Sequence, residues 1–541
     1  MDEHLTRCVR PRRSARVFLL TAASALAALL LAAPSLAGAP AAGCKNRTNN
    51  TYDKLLGCVT LEGVREHQAA FQAIADANGG TRAAATPGYD ASVEYVIETM
   101  EAAGWTVETH QFDFTVAQPI QQHTPTPATT HATGGVTGST LGTVTAPVIP
   151  IDINLTPPRA NTSGCDGAYT EAAVGAPLTA HPTGPNDFAG FPTTTAIALI
   201  QRGGCSFALK VANAQAAGAD AVILFNQCNT PDRCVTLTNI TAEPPAGSAV
   251  TTITIPVVGT SFAAGESLAR PGTTATVAVL NEPQLNVIAE LEGRNDDNVV
   301  MAGAHLDSVE EGPGINDNGS GSAALLEIAE QLGKFKPENT LRFAWWGAEE
   351  SGLVGSTAYV NDLTEAERDQ IALYLNFDMV GSPNYIFMVY DADQSSFPPP
   401  AGVPIPAGST AIEDLFESFY TLLGEPYDDT QFSGRSDYQA FIEAGIPSGG
   451  LFTGAEQVKT AEQAAIWGGT AGAWFDPCYH QACDTFANNN DHALDVNVDA
   501  IAFATLTFAY STESVNGVPG KRVPGAKPLP APAGPEGTFV P

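Results

Sequence analysis

The feature that most constrains the fold is the order of apolar runs in the second half of the chain. "LNVIAELEG" from Leu285, "VVMAGAH" from Val299, "TLRFAWWGAEE" from Thr340 and "LYLNFDMVGS" from Leu373 are short and rich in β-branched and aromatic residues. Such runs read as strands buried in a sheet. Helix-periodic segments alternate with them, from Ser320 to Leu332, Val354 to Leu363 and Ile412 to Leu423. Strands alternating with helices predict an α/β fold, a three-layer, doubly wound mixed sheet with helices on both faces.

Two more helix-periodic stretches, Leu61 to about Gly79 and Tyr89 to Gly104, precede the strand-like alternation "WTVETHQFDF" from Trp105. After Val116 the composition turns to Thr, Pro, Gly and Ala through about Ala146, which reads as a linker. The 146–283 segment then carries short β-like runs and one amphipathic helix, "SFALKVANAQAAGA", with Phe207, Val211 and Ala214 on one face. Because α/β patterning flanks it on both sides, this β-rich segment is expected to be inserted into a discontinuous domain of 40–120 and 284–512. Residues 513–541 are rich in Pro and Gly without periodicity and read as a flexible tail or removable propeptide.

In open α/β sheets, ligand sites form outside the carboxyl ends of the strands. His305 and Asp307 follow one apolar run, Glu349 and Glu350 the next, and Asp378 a third. Asp317 lies in a glycine-rich loop before a helix, and His480 in "FDPCYHQACD". Imidazole nitrogen with carboxylate oxygen suits zinc, and five ligands exceed what one catalytic zinc with an open position needs. Two ions sharing a bridging carboxylate would use them all, as in aminopeptidases. A further carboxylate must act as base. Of the adjacent Glu349 and Glu350, one could ligate while its neighbour takes the proton. Asp307 could hold the other ring nitrogen of His305.

The chain has 541 residues, of which 44% are hydrophobic, enough for a large core and more than one domain. Its formal net charge of -33 would repel phosphate backbones and anionic lipid heads, so nucleic acid is not expected as a partner. Arg10, Arg12, Arg13 and Arg16 precede "VFLLTAASALAALLLAA" and the small residues of "PSLAGAPAAG". That is the layout of a secretory signal peptide over 1–39, with cleavage expected after Ala37 or Ala39. A secreted, extracellular protein without a membrane span after processing follows, and a monomer is expected. Cys8 would leave with the signal. The other eight cysteines pair by proximity as Cys44–Cys58, Cys165–Cys205, Cys228–Cys234 and Cys478–Cys483.

The motifs "AHLDS", "GINDNGSG", "FAWWGAEE", "LNFDMVGSPN", "GRSDYQAF", "GGLFTGA", "WGGTAG" and "CYHQACDT" resemble the secreted bacterial di-zinc aminopeptidases of metallopeptidase family 28, most closely the actinomycete-type leucyl enzymes. The likeness is dense over 284–512 and looser over 55–116. It implies two zinc ions, one held by His305 and Asp378, the other by Glu350 and His480, with Asp317 bridging. It makes Glu349 the general base, Tyr479 the oxyanion donor and Arg435 a substrate-orienting residue, with Cys478–Cys483 bracketing the Tyr-His pair. Peptide or protein N-termini, with apolar leucine-like residues preferred, are the implied substrates.

Within the insertion, "IALIQRGGCSFALKVANAQAAGADAVILFN" is similar to a protease-associated (PA) domain. "NNNDHALDVN" is similar to a calcium-binding stretch, with Asp491 and Asp495 as candidate ligands. Two alternatives stand beside the aminopeptidase. A carboxypeptidase would need basic residues for the substrate carboxylate, for which Arg435 is the candidate. A non-catalytic binding protein of the same fold would have lost its metal ligands.

Overall fold

The computed structural model describes residues 43–181, 186–238, 240–398, 404–536 and 538–539. The signal-peptide reading and Cys8 lie outside the described residues.

The core of the α/β domain is the strand Asn295–His305, flanked in parallel by Asn339–Trp346 and Ile371–Phe377. Ser448–Phe452 continues the sheet in parallel, Met388–Tyr390 joins it antiparallel, and Asp428–Thr430 lies beyond. Alternation along the central strands separates two cores. Val300, Ala302 and Ala304 face a cluster built with the helices Leu61–Ala77, Pro87–Ala103, Gly319–Leu332, Ser409–Leu423 and Asp491–Tyr510. Met301, Ala344, Trp346 and Tyr374 face the other side, against Tyr359, Val360, Phe441 and Ile442. The result is a three-layer mixed α/β sheet.

Local signals start the helices where the sequence places them. Thr60 and Thr86 accept hydrogen bonds from the backbone N–H groups of Gly63 and Tyr89, and Pro87 opens the second helix. The helix Asp491–Tyr510 is long and apolar enough to cross a membrane, but 78% of its apolar window is buried inside the fold.

The stretch read as a linker after Val116 is largely strand. Thr106–Thr124 runs on through it and pairs antiparallel with Thr274–Leu291, from Thr106 opposite Glu290 to Thr124 opposite Thr274. Threonine favours extended backbone, and Pro119 falls at the register shift between Gln118 and Gln121, where no ladder N–H is required. The run "LNVIAELEG" likewise belongs to a longer strand, Thr274–Leu291, which begins within the β-rich segment. Its first half pairs with Gly142–Ile151 of the insertion and its second half with Asn339–Trp346 of the α/β domain, so one continuous sheet runs through both. Inside the insertion, Gly142–Ile151, Ile197–Gln201, Ala221–Phe225 and Val257–Thr260 lie parallel around the helix Phe207–Ala216, whose N-cap is Ser206.

The Pro/Gly-rich segment 513–541 also differs from expectation. Within its described residues, Val515 and Val523 are buried in the main core, and Ala526 and Leu529 pack against it. Isolated apolar residues without a period can still fill gaps at the ends of helices. All four proximity-based cysteine pairs form disulfides.

Candidate metal centre

Each strand end delivers a donor to one place. The imidazole Nε2 of His305 lies 3.2 Å from Asp317 Oδ1, 3.3 Å from Asp378 Oδ1 and 3.9 Å from Glu349 Oε2. Across the site, His480 Nε2 lies 2.9 Å from Glu350 Oε2 and 3.3 Å from Asp317 Oδ2. The donors thus fall into two groups, His305 with Glu349 and Asp378, and Asp317 with Glu350 and His480. Asp317 turns one carboxylate oxygen toward each imidazole.

The backbone around the donors is tightly held. Asn318 caps the helix Gly319–Leu332 through Gly321 N–H, accepts from Met379 N–H and donates to Phe377 C=O. One side chain therefore fastens the Asp317 loop to both neighbours of Asp378. Gly321 is required there, because a Cβ would sit 2.2 Å from the Phe377 carbonyl oxygen. Ala348, Met379 and His480 have left-handed backbone at φ 55°, 50° and 55°, rare for residues with side chains. Such strain clusters at functional sites.

Four supports were not singled out in the sequence. Asp484 accepts from the N–H groups of Asn316 and Asp317 at 2.9 and 3.0 Å. Ser436 donates to Asp378 Oδ2 at 2.7 Å. Arg82, fully buried, donates to the carbonyls of Leu306, Pro313 and Gly314. Asn318, the fourth, sits in an Asp-Asn-Gly stretch that reads as an ordinary turn. Asp484 and Ser436 lie within noted motifs, whereas nothing around Arg82 marks it.

Asp307 departs from expectation. Its main-chain oxygen, not its carboxylate, is the nearer partner of His305 Nδ1, at 3.0 Å against 3.7 Å. The carboxylate instead accepts from Glu349 N–H at 3.1 Å and Glu350 N–H at 3.3 Å, pinning the turn that carries both glutamates. Arg435 donates to Tyr479 Oη at 3.1 Å and pairs with Glu456 at 2.9 Å, and Tyr479 stacks on the His480 ring. The calcium candidates are less convergent. Asp491 is in the first helical turn and 3.7 Å from Arg65, Asn490 provides the N-cap, and neither Asp491 nor Asp495 joins a group of three donors among the described residues.

The donor set demands positive charge. Asp317, Glu349, Glu350 and Asp378 converge on two imidazoles. Burial lowers the pKa of both rings, yet Glu349 and Asp378 hold His305 well above the ordinary value, and Asp317 and Glu350 hold His480 at about 10. Burial pushes Glu349 well up and Glu350 to about 7. Glu350 Oε1 and Asp378 Oδ1 are buried without hydrogen-bond partners, a costly state for carboxylate oxygens. Two divalent ions would satisfy these oxygens and balance the four carboxylates, so the residues fit a metal pair.

Fold and site together define a metallohydrolase on a doubly wound α/β scaffold. The chain matches Peptidase family M28 over residues 286–505 and the PA domain over 144–268. It is 45% identical over 473 residues to an aminopeptidase of Pseudomonas aeruginosa, covering 85% of this chain and 83% of that one. It is 42% identical over 471 residues to a probable lipoprotein aminopeptidase of Mycobacterium tuberculosis, covering 85% and 87%. Its structure is similar to the aminopeptidase from Aneurinibacillus sp. strain AM-1, with TM-score 0.51 and 26% identity over 89% of this chain and 99% of that one. The chain belongs to peptidase family M28, among the aminopeptidases of that family, and carries a PA domain within it.

Proposed function

We propose that the protein is an exported di-zinc aminopeptidase that removes apolar, leucine-like residues from the N-termini of peptides. The observation that carries this reading is Asp317, whose two oxygens lie 3.2 and 3.3 Å from the imidazoles of two separate donor groups. His305 and Asp378 would hold one ion, Glu350 and His480 the other, and Asp317 both. When bound, the pair supplies Lewis acidity to the scissile carbonyl and lowers the pKa of the attacking water.

The chain's own residues supply the remaining steps. Glu349 takes the proton from water at its carboxylate and returns it to the leaving amine. Arginine can only donate, so the Arg435 contact occupies an acceptor site on Tyr479 and leaves its hydroxyl hydrogen for the oxyanion. Arg435 thus serves as a positioning residue for Tyr479. Met379, Tyr390, Phe452 and Ala455 line the same cleft and suit an apolar side chain. The four disulfides favour an oxidising, extracellular setting.

A carboxypeptidase is disfavoured because Arg435 is the only cationic side chain lining the cleft besides the imidazole of His480, among the described residues, and Glu456 already pairs with it. A non-catalytic relative is disfavoured because all five donors and the second glutamate gather. Leucyl peptides with free, N-acetylated or C-amidated ends test the reading. Cleavage of the free and amidated peptides with no cleavage of the acetylated one is expected. Cleavage that persists after N-acetylation and fails after C-amidation refutes it.

A further inference from the structure

Away from the His305–His480 centre, a second group of acids lies behind the wall of the cleft. Asp391 follows the strand Met388–Tyr390, Asp393 lies two residues further, Glu413 and Glu417 are on the helix Ser409–Leu423, and Asp429 is in the strand Asp428–Thr430. Donor oxygens of Asp391, Asp393 and Glu413 lie within 4.8 Å of one another, as do those of Glu413, Glu417 and Asp429. Glu413 is common to both sets. All but Asp393 are buried.

Buried acids of this kind normally face cations. Here the charges acting on them are other acids: Asp393, Glu417 and Asp391 on Glu413; Asp429, Asp414 and Asp393 on Glu417; Asp391, Asp393 and Asp428 on Asp429. Burial and this repulsion push Glu413 to about 9, Glu417 to about 7 and Asp429 to about 6. Some oxygens are satisfied. Glu413 Oε2 accepts from the N–H groups of Ala392 and Asp393, Asp391 from those of Ser395, Ser396 and Phe397, and Asp429 Oδ2 from the Ser396 hydroxyl. Asp429 Oδ1 is different. It is buried on a residue with 0% exposure, has no hydrogen-bond partner, and belongs to the carboxylate grouped with Glu413 and Glu417.

We propose that this cluster binds one hard divalent cation of the calcium type, with Glu413, Glu417 and Asp429 as inner ligands, buried Asp391 beside Glu413 and exposed Asp393 on the solvent side. All donors are carboxylate oxygens with neither nitrogen nor sulfur, which selects calcium over zinc, and calcium accepts the irregular, many-oxygen geometry that three separate elements provide. Exposed Asp393 offers an entry path. The site reaches substrate binding through the backbone, because Tyr390 immediately precedes Asp391 and Thr430 immediately follows Asp429, and both line the cleft. Bound calcium would therefore tie the loop after Tyr390 to the strand that ends at Thr430 and stiffen that wall.

Equilibrium dialysis of the zinc-loaded full-length protein against radiolabelled calcium chloride tests this. One equivalent should be retained and Tm should rise with calcium. Asp429→Asn and Glu417→Gln should each abolish both effects, whereas Asp495→Asn should leave them. Each amide relieves buried repulsion, so both variants should fold, and either alone suffices if the other does not. The proposal is overturned if the wild type binds no calcium, if the folded variants keep their equivalent, or if Asp495→Asn is the substitution that removes it.

Discussion

Replacing Glu349 with glutamine should cost rate without costing zinc. The turn that carries it is held through main-chain N–H groups by Asp307, at 3.1 Å for Glu349 and 3.3 Å for Glu350, and an amide side chain leaves both bonds in place. Glutamine also keeps the volume at this buried position. What disappears is the proton acceptor proposed for the attacking water. Loss of a general base lowers kcat by about 10²–10⁴-fold, or about 3–5 kcal/mol in the barrier. Glu350→Gln perturbs something else. It removes an anionic oxygen 2.9 Å from His480 Nε2, on a side chain whose other oxygen has no partner, so zinc affinity should fall at least the ~10–100-fold seen when mere supporting groups of a metal site are lost. Zinc stoichiometry by mass spectrometry, measured beside turnover of leucine p-nitroanilide, separates the cases. If Glu349→Gln loses an ion while Glu350→Gln keeps two, the roles are exchanged. If both variants remain fully active, the site lies elsewhere.

Arg82→Met should destabilise the fold by about 3–5 kcal/mol in urea unfolding, because it strands the buried carbonyls of Leu306, Pro313 and Gly314; a loss under about 1 kcal/mol would show that the loop is held otherwise. Serine at both Cys478 and Cys483 should cost about 2 kcal/mol or less, since the bridge closes a short loop, but should lower activity by freeing Tyr479 and His480. Unchanged kcat in a folded double variant contradicts that. Glu327, pushed by burial to about 7, binds its proton more tightly in the folded state. Its contribution to stability is therefore full below its ordinary pKa and is lost as pH rises through about 7, by up to ~3 kcal/mol. Glu327→Gln, which keeps an acceptor for Thr60 N–H, should raise Tm at pH 8 and leave it nearly unchanged at pH 5. Comparison with wild type isolates this from His67, whose burial-depressed pKa of about 4 acts in the opposite sense.

Much of the centre was legible because its residues sit at strand ends, and strand ends are visible as the close of apolar runs. His305, Glu349 and Asp378 each follow such a run, and parallel pairing of three neighbouring strands forces those ends together. His480 is different. No periodicity ties "CYHQAC" to the sheet, and its place beside Glu350 came from family resemblance alone. The actual role of Asp307 was equally hidden, since its nearness to His305 in the chain suggests the ring, whereas the fold brings the Glu349–Glu350 turn to its carboxylate.

By itself the sequence determined the alternation of strands and helices, the helix caps at Thr60, Thr86 and Ser206, and the disulfides between near neighbours, because these depend on residues within a turn or a short loop of one another. Only the tertiary structure decided what depends on distant partners. Thr106–Thr124 extends through an apparent linker because Thr274–Leu291 arrives from the far side of the insertion to pair with it. That same strand joins the catalytic strands to those of the insertion in one continuous sheet, so removing 146–283 would cut through it rather than between domains. Arg82 finds its carbonyls more than 220 positions away, and Asp391, Glu413 and Asp429 meet only where a strand end, a helix and a neighbouring strand converge. Hydrogen bonds and charges act over a few ångströms of space, and separation along the chain does not record which groups folding brings that close.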